Sequence, residues 1–300
     1  MKMFMYLTRP LAVVVLFCLI STGSHALPMP EINKDPDHTL YGTLSQNDPL
    51  FETMYQNGTL FANAGCGPVS AVNSFVYLEK KYPEVYVLPN NEHLLVQSSD
   101  PKGRWPTVDL VNVAETLAGA PYMNTTLAGT WSDMMIYGKS KYIDAQMAGM
   151  TGYKTGYKAM MTGTWGSPPV TLPPKPNWVQ DNMYPTWQFI YSELRDCEDV
   201  EILVNWGTSG GHYVTLTGMT WDTDGEGTIT CVDPMDGGPV TYKIKLVDGH
   251  LKTNSRAQPN NYTRDITMAV SESPAPEPMT IILIGAGLVG LLGIARRRMR

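Results

Sequence analysis

The sequence predicts an α+β fold in which a helix with a cysteine at its start packs on an antiparallel β-sheet. Two patterns predict it. In the first half of the body, apolar residues recur every three or four positions, the period of an amphipathic helix. In the second half they alternate, the period of a half-buried strand. Strands that follow one another without an intervening helix pair antiparallel, so the second half should form one such sheet.

Residues 1–26 read as a signal peptide. Lys2 and Arg9 supply its positive start, residues 11–20 an apolar stretch too short to span a bilayer, and Ser24-His25-Ala26 a small-residue cleavage site. Residues 27–45 are polar and proline-bearing, and read as a linker or arm. The body then spans 46–270. A helix starts near Cys66, because Pro68 falls in the first turn, where its missing N–H costs nothing. Val69, Val72 and Val76 carry that helix to about Tyr82. Residues 107–118 form a second helix with Val108, Val111 and Leu117 on one side, and 186–195 a third. The Gly-, Thr-, Met- and Pro-rich stretch 127–183 reads as a surface excursion with short strands. Strands follow at 201–206, 212–219, 228–233 and 241–247. In the second of these, His212, Val214 and Leu216 share a face, and Tyr213, Thr215 and Thr217 the other. Ile229, Cys231 and Asp233 share a face of the third.

Residues 271–300 read as a tail. A proline cluster ending in Pro276-Glu277-Pro278 precedes an apolar run over 279–295 and a terminal group of arginines. A helix of about 17 residues spans roughly 25 Å, enough for a thin hydrocarbon core. This predicts a short transmembrane helix with its arginines on the cytoplasmic side.

Acidic residues number 28 against 22 basic ones, a net charge of -6, and no basic block interrupts the chain. That balance argues against nucleic acid as a partner. No Cys/His cluster has zinc spacing and no glycine loop is built to cradle phosphate, so no cofactor is expected. Asp222, Asp224 and Glu226 follow the opening of a calcium loop whose twelfth position is Asp233. The alternating pattern on both sides reads instead as a hairpin turn, and no metal is expected.

Chemistry concentrates at Cys66. A helix start offers unpaired N–H groups and the positive end of the dipole, which favour a thiolate, and the thiolate is the nucleophile. Gly65 and Gly67 clear side chains from both sides, so a carbonyl can approach the backbone. His212, at the start of its strand, is placed to donate a proton to a leaving group. Asp233, at the end of a neighbouring strand, can fix the imidazole's tautomer and orientation.

Two resemblances follow. The tail resembles the PEP-CTERM sorting signal, with Pro276-Glu277-Pro278, an apolar segment containing Gly285, Gly287, Gly290 and Gly293, and terminal arginines in that order. The resemblance implies a Gram-negative host, processing by an exosortase, and transient inner-membrane anchoring. It also implies export to the periplasm, cell surface or extracellular matrix. The body, over roughly 50–247, resembles papain-like cysteine peptidases of the bacteriocin-processing, double-glycine leader type. The residues that carry this are Gly65-Cys66-Gly67-Pro68-x-Ser70, Gly211-His212-Tyr213-Val214 and Val232-Asp233-Pro234.

The second resemblance implies a papain-like fold, with Cys66 as nucleophile, His212 as general acid and base, and Asp233 as orienting residue. It also implies an upstream Gln or Asn in the oxyanion hole. Leu60 stands six residues before Cys66, so Gln56, Asn57 and Asn63 are the amides on offer. With Cys66 catalytic, Cys197 and Cys231 are left to pair as a disulfide. The expected function is a secreted, surface-sorted cysteine peptidase-like protein that cleaves peptide or amide bonds. The alternatives are transglutaminase-like acyl transfer and a non-catalytic binding or extracellular-matrix protein.

Overall fold

The computed structural model describes residues 29–276, apart from 56, 99, 101, 103, 151–152, 168, 170, 208–209 and 255–260. Helices dominate the first half: α1 (Leu50–Tyr55), α2 (Gly58–Ala64), α3 (Cys66–Lys81), α4 (Pro83–Tyr86), α5 (Thr107–Ala118) and α6 (Ser132–Gln146). A seventh helix, α7 (Trp187–Arg195), precedes the main run of strands. Strands are β1 (Met29–Asn33), β2 (Tyr153–Met161), β3 (Val179–Gln180), β4 (Asp199–Asn205), β5 (Gly211–Trp221), β6 (Glu226–Asp233), β7 (Gly238–Val247), β8 (His250–Thr253) and β9 (Arg264–Pro276).

Six of these strands close on themselves in the order β4-β5-β6-β7-β8-β9 and back to β4, with every pair antiparallel. β1 lies beside β5, and β2 extends from β9 with β3 at its outer edge. The architecture is therefore a closed six-stranded barrel with extra strands, and the papain-like expectation of a helix on an open sheet is overturned. The reason lies in β9. It pairs with β8 through Arg264 and Asp265 and with β4 from Ile266 to Glu272, so one strand closes the ring. The sequence reading ended its strands at 247 and assigned 271 onward to the tail.

Alternation along the strands creates two cores. Inside the ring lie Ile202, Val214, Leu216, Cys231, Ile244, Leu251 and Ile266, joined by Ile190 and Leu194 of α7. On the outer face, Tyr213, Val232, Met268 and Val270 meet the helical layer. At the centre of that layer is α3, whose residues from Cys66 to Glu79 are all buried. In α5 the inward face is Leu110, Val111, Val113, Ala114 and Leu117, whereas Val108 is 36% exposed.

The arm and the excursion are parts of this body. In the arm, β1 pairs with β5, the buried Asp35 carboxylate accepts from the N–H groups of Thr39, Leu40 and Tyr41, and Tyr41 and Leu44 enter the core. Residues 127–183 supply α6 and β2, and β2 pairs with β9 over nine consecutive residues, Tyr153 to Met161. The signal peptide and the apolar run at 279–295 lie outside the described residues. Among the described residues, no helix is long and apolar enough to cross a membrane, so the transmembrane helix has no counterpart there.

Candidate active site

Cys66, His212 and Asp233 come together from three elements. Cys66 opens α3 and is 7% exposed. Gly65 joins α2 to α3 at φ -78° and ψ 0°, and a Cβ there would lie 2.5 Å from the Phe61 ring. The first bond of α3 runs from the Val69 N–H to the Gly65 carbonyl, so the Cys66 N–H precedes the helical ladder. His212 is the second residue of β5 and Asp233 the last of β6. Thr215 pairs with Val232, which sets His212 and Asp233 diagonally across neighbouring strands on one face, within side-chain reach.

His212 Nε2 is 2.7 Å from Asp233 Oδ1. That oxygen also accepts from the Met235 N–H at 2.9 Å, and Oδ2 accepts from the Tyr242 hydroxyl at 2.9 Å. Burial would raise the Asp233 carboxyl, but His212 and these donors outweigh it and hold the pKa down to about 2. Burial likewise disfavours the imidazolium, yet hydrogen bonds and charge from Asp233 and Cys66 push His212 up to about 9. With Nε2 taken by Asp233, Nδ1 is the ring nitrogen left for the Cys66 sulfur, whose charge helps to raise the imidazole. Trp206 stacks on the imidazole at 4.9 Å between ring centroids, and Arg264 lies over Trp206 at 5.1 Å. These groups screen the ion pair from water on that side.

The sulfur opens onto a cleft of ≈ 530 Å³. Asn63 and Ala64 line one side of it, residues 127–132 another, and Leu203, Asn205, Gly210 and Gly211 a third.

The three expected oxyanion amides fare differently. Gln56 lies outside the described residues. Asn57 turns away and donates to Glu115 Oε2 on α5 at 3.2 Å. Asn63 lines the cleft but donates to the Thr59 carbonyl at 2.9 Å. A fourth amide, Gln46, is tied to the backbone of the site rather than to the cleft. It is buried, its N–H bonds the Pro234 carbonyl at 2.6 Å, and its Nε2 bonds the Ala62 carbonyl at 2.9 Å. Ala62 is four residues before Cys66, so an unbroken helix would offer that carbonyl to the Cys66 N–H. Gln46 therefore bridges the Asp233 turn and the backbone entering Cys66. Its Oε1 meets no partner among the described residues. α2 lies between Gln46 and Cys66, which hid the connection from any fixed-spacing rule.

The expected Cys197–Cys231 disulfide is absent, and Cys66, Cys197 and Cys231 all remain thiols. Cys231 belongs to the ring's interior core, whereas Cys197 sits in the turn before β4 at φ +64°. The barrel wall separates them. Asp222 Oδ1 accepts from the N–H groups of Asp224 and Glu226, each at 2.9 Å, and Glu226 pairs with Lys245. This is the hairpin turn of β5 and β6, with Asp222 bonded inside the turn and Glu226 paired to β7.

Among the described residues, one group has the spacing to hold a metal: Asp199, Glu201 and Glu272, all fully buried. The ammonium of Lys139 fills it, at 2.9 Å from Asp199 and 2.5 Å from Glu201 and also bonded to Glu272. Of the sorting motif, Pro276 ends β9 opposite Tyr153, and Glu277 and Pro278 lie outside the described residues. No protein-family model matches this chain, and no curated protein sequence matches it.

Proposed function

We propose that this protein is a cysteine hydrolase that cleaves peptide or amide bonds with Cys66, His212 and Asp233. The observation that carries this reading is the 2.7 Å pair of Asp233 and His212, electrostatically coupled to a helix-start cysteine that faces a cleft. The Cys66 sulfur attacks the acyl carbon, and negative charge moves to the former carbonyl oxygen. The Cys66 N–H is the donor assigned to that oxygen, and Gln46 holds the backbone that carries it. His212 Nδ1 then gives its proton to the departing amine as the C–N bond breaks, leaving a thioester. Water attacks the thioester with His212 as base, which restores the thiol and releases the acid. Asp233 keeps Nε2 occupied throughout, so the reacting proton stays on Nδ1.

Export and processing of the tail by an exosortase belong to the same proposal. They rest on the order of charged, apolar and small residues at 1–26 and on Pro276-Glu277-Pro278 followed by Gly-rich and Arg-rich segments.

The decisive experiment labels the protein with iodoacetamide across pH 5–9 and repeats it with His212→Ala. A functional pair gives rapid modification of Cys66 at pH 5–6 that falls at least tenfold in the variant. Labelling that follows an ordinary thiol's pH profile in both proteins sinks the hydrolase reading. Gln46→Ala should lower kcat with KM little changed while leaving the pH profile of Cys66 labelling in place, as expected for a residue that positions the backbone entering Cys66.

A further inference from the structure

The two most exposed large apolar residues described, Leu127 at 68% and Trp131 at 53%, both line the cleft at Cys66. Among the described residues, no Asp, Glu, Lys, Arg or His contributes to that lining, although the chain as a whole carries a net charge of -6. Apolar side chains left in water at the mouth of a site are costly unless something covers them.

The segment that presents them is held firmly. Thr126 and Gly129 exchange both backbone hydrogen bonds, at 3.1 and 2.8 Å, which folds residues 126–129 into a tight hairpin. The hydroxyls of Thr125 and Thr130 meet at 2.7 Å and lock its base. The Tyr213 hydroxyl, from the residue after His212, donates to the Thr130 carbonyl at 3.0 Å. Gly67 packs against the same residue, where a Cβ would lie 3.0 Å from Thr130 Oγ1. The hairpin is thus tied both to the first turn of α3 and to the strand that carries the imidazole. Its position relative to the sulfur is set by the elements that set the site.

We infer that residues 125–132 are the specificity element of the site, and that Leu127 and Trp131 receive an uncharged, apolar side chain of an extended peptide next to the bond that is cut. This rests on the hydrolase reading and names its substrate class. A carboxylate or ammonium entering the cleft would lose water and meet, among the described lining residues, only neutral groups such as Asn63, Ser132 and Asn205, so charged residues are disfavoured. An aliphatic or aromatic side chain instead covers Leu127 and Trp131, and the prearranged hairpin loses little freedom when it binds.

The test uses the full chain and a set of peptidyl chloromethyl ketones that differ only in the residue beside the reactive group: Leu, Phe, Glu or Lys. Iodoacetamide, too small to span the walls, serves as the reference for the thiol itself. The Leu and Phe probes should inactivate about 10-fold or more faster than the Glu and Lys probes. The paired replacement Leu127→Ser, Trp131→Ser should reduce that preference to about threefold or less with the iodoacetamide rate unchanged, and Trp131→Phe should keep most of it. Equal rates for all four probes on the natural chain, or a preference that survives the paired replacement, overturn the inference while the hydrolase reading stands. If iodoacetamide labelling is itself independent of His212, the hydrolase reading falls and the substrate assignment with it.

Discussion

The barrel carries two buried ionic networks, one at its mouth and one against the helical layer, and they are built on opposite principles. At the mouth, one imidazole faces one carboxylate, and both oxygens of Asp233 have named donors. Against α6, one ammonium faces three carboxylates, and Glu201 Oε1 and Glu272 Oε1 meet no partner among the described residues. Burial works against the Lys139 charge, but the three acids hold its pKa well above the ordinary range. Glu201, by contrast, is pushed up to about 7, chiefly by burial, and Glu272 is raised further. The comparison teaches that a matched pair can sit beside a cleft with its charges ready for use. A mismatched cluster has to be sealed and must keep protons on some of its acids.

The largest test breaks the mouth. Cys66→Ala or His212→Ala should lower kcat/KM for an amide substrate by about 10⁴-fold or more. Cys66→Ala should leave the melting temperature nearly unchanged, because the sulfur fills little of the core. The next breaks the sealed cluster. Lys139→Met leaves three carboxylates without their cation and should cost about 3–5 kcal/mol in urea unfolding. The protein that remains folded should keep its Cys66 labelling rate. A variant that loses labelling while still folded would show that the two networks are not separable.

Stability against pH sharpens the contrast. The raised His212 pKa contributes stability that is complete below 6.5 and lost as pH rises through about 9. The depressed Asp233 pKa contributes above 3.8 and is lost as pH falls through about 2. Glu201 is a carboxylate of the other kind. Its raised pKa contributes most below 4.5, and that contribution is lost as pH rises through about 7. The unfolding free energy should therefore decline as pH rises, first between 4.5 and about 7 and then between 6.5 and about 9. His212→Ala should remove the later decline, and Glu201→Gln should shrink the earlier one, to which Glu198, also pushed up to about 7 chiefly by burial, contributes. The smallest effect belongs to Tyr242→Phe, which deletes one donor to Asp233 and should cost about 1 kcal/mol. The same change should raise the pH at which acid weakens the fold.

What the sequence revealed follows the range of the interactions involved. The start of α3 was legible because Pro68 and the valine spacing act within a few turns. The faces of β5 and β6 were legible because alternation is local, and it put His212 and Asp233 on shared ground. Ring closure was not legible, since it depends on β9 meeting β4 some sixty residues earlier. Nor was the sealed cluster. In Asp199-Val200-Glu201-Ile202, polar alternation reads as a solvent face, and only Lys139, from a stretch read as surface, reveals that the acids point inward. The disulfide failed for a related reason. Counting thiols says how many exist, and it is blind to the β-wall between Cys197 and Cys231.

Ring closure has one more consequence. Under the proposed function the protein has to coexist with its own chain, and peptidases grip their substrates as extended strands whose backbone groups are free to pair. Each strand of the ring has neighbours on both edges. Its backbone is already committed to hydrogen bonds, so cutting it would first require pulling the barrel open. The fold that places Cys66 beside His212 thereby also makes the body a poor substrate for the activity proposed for it.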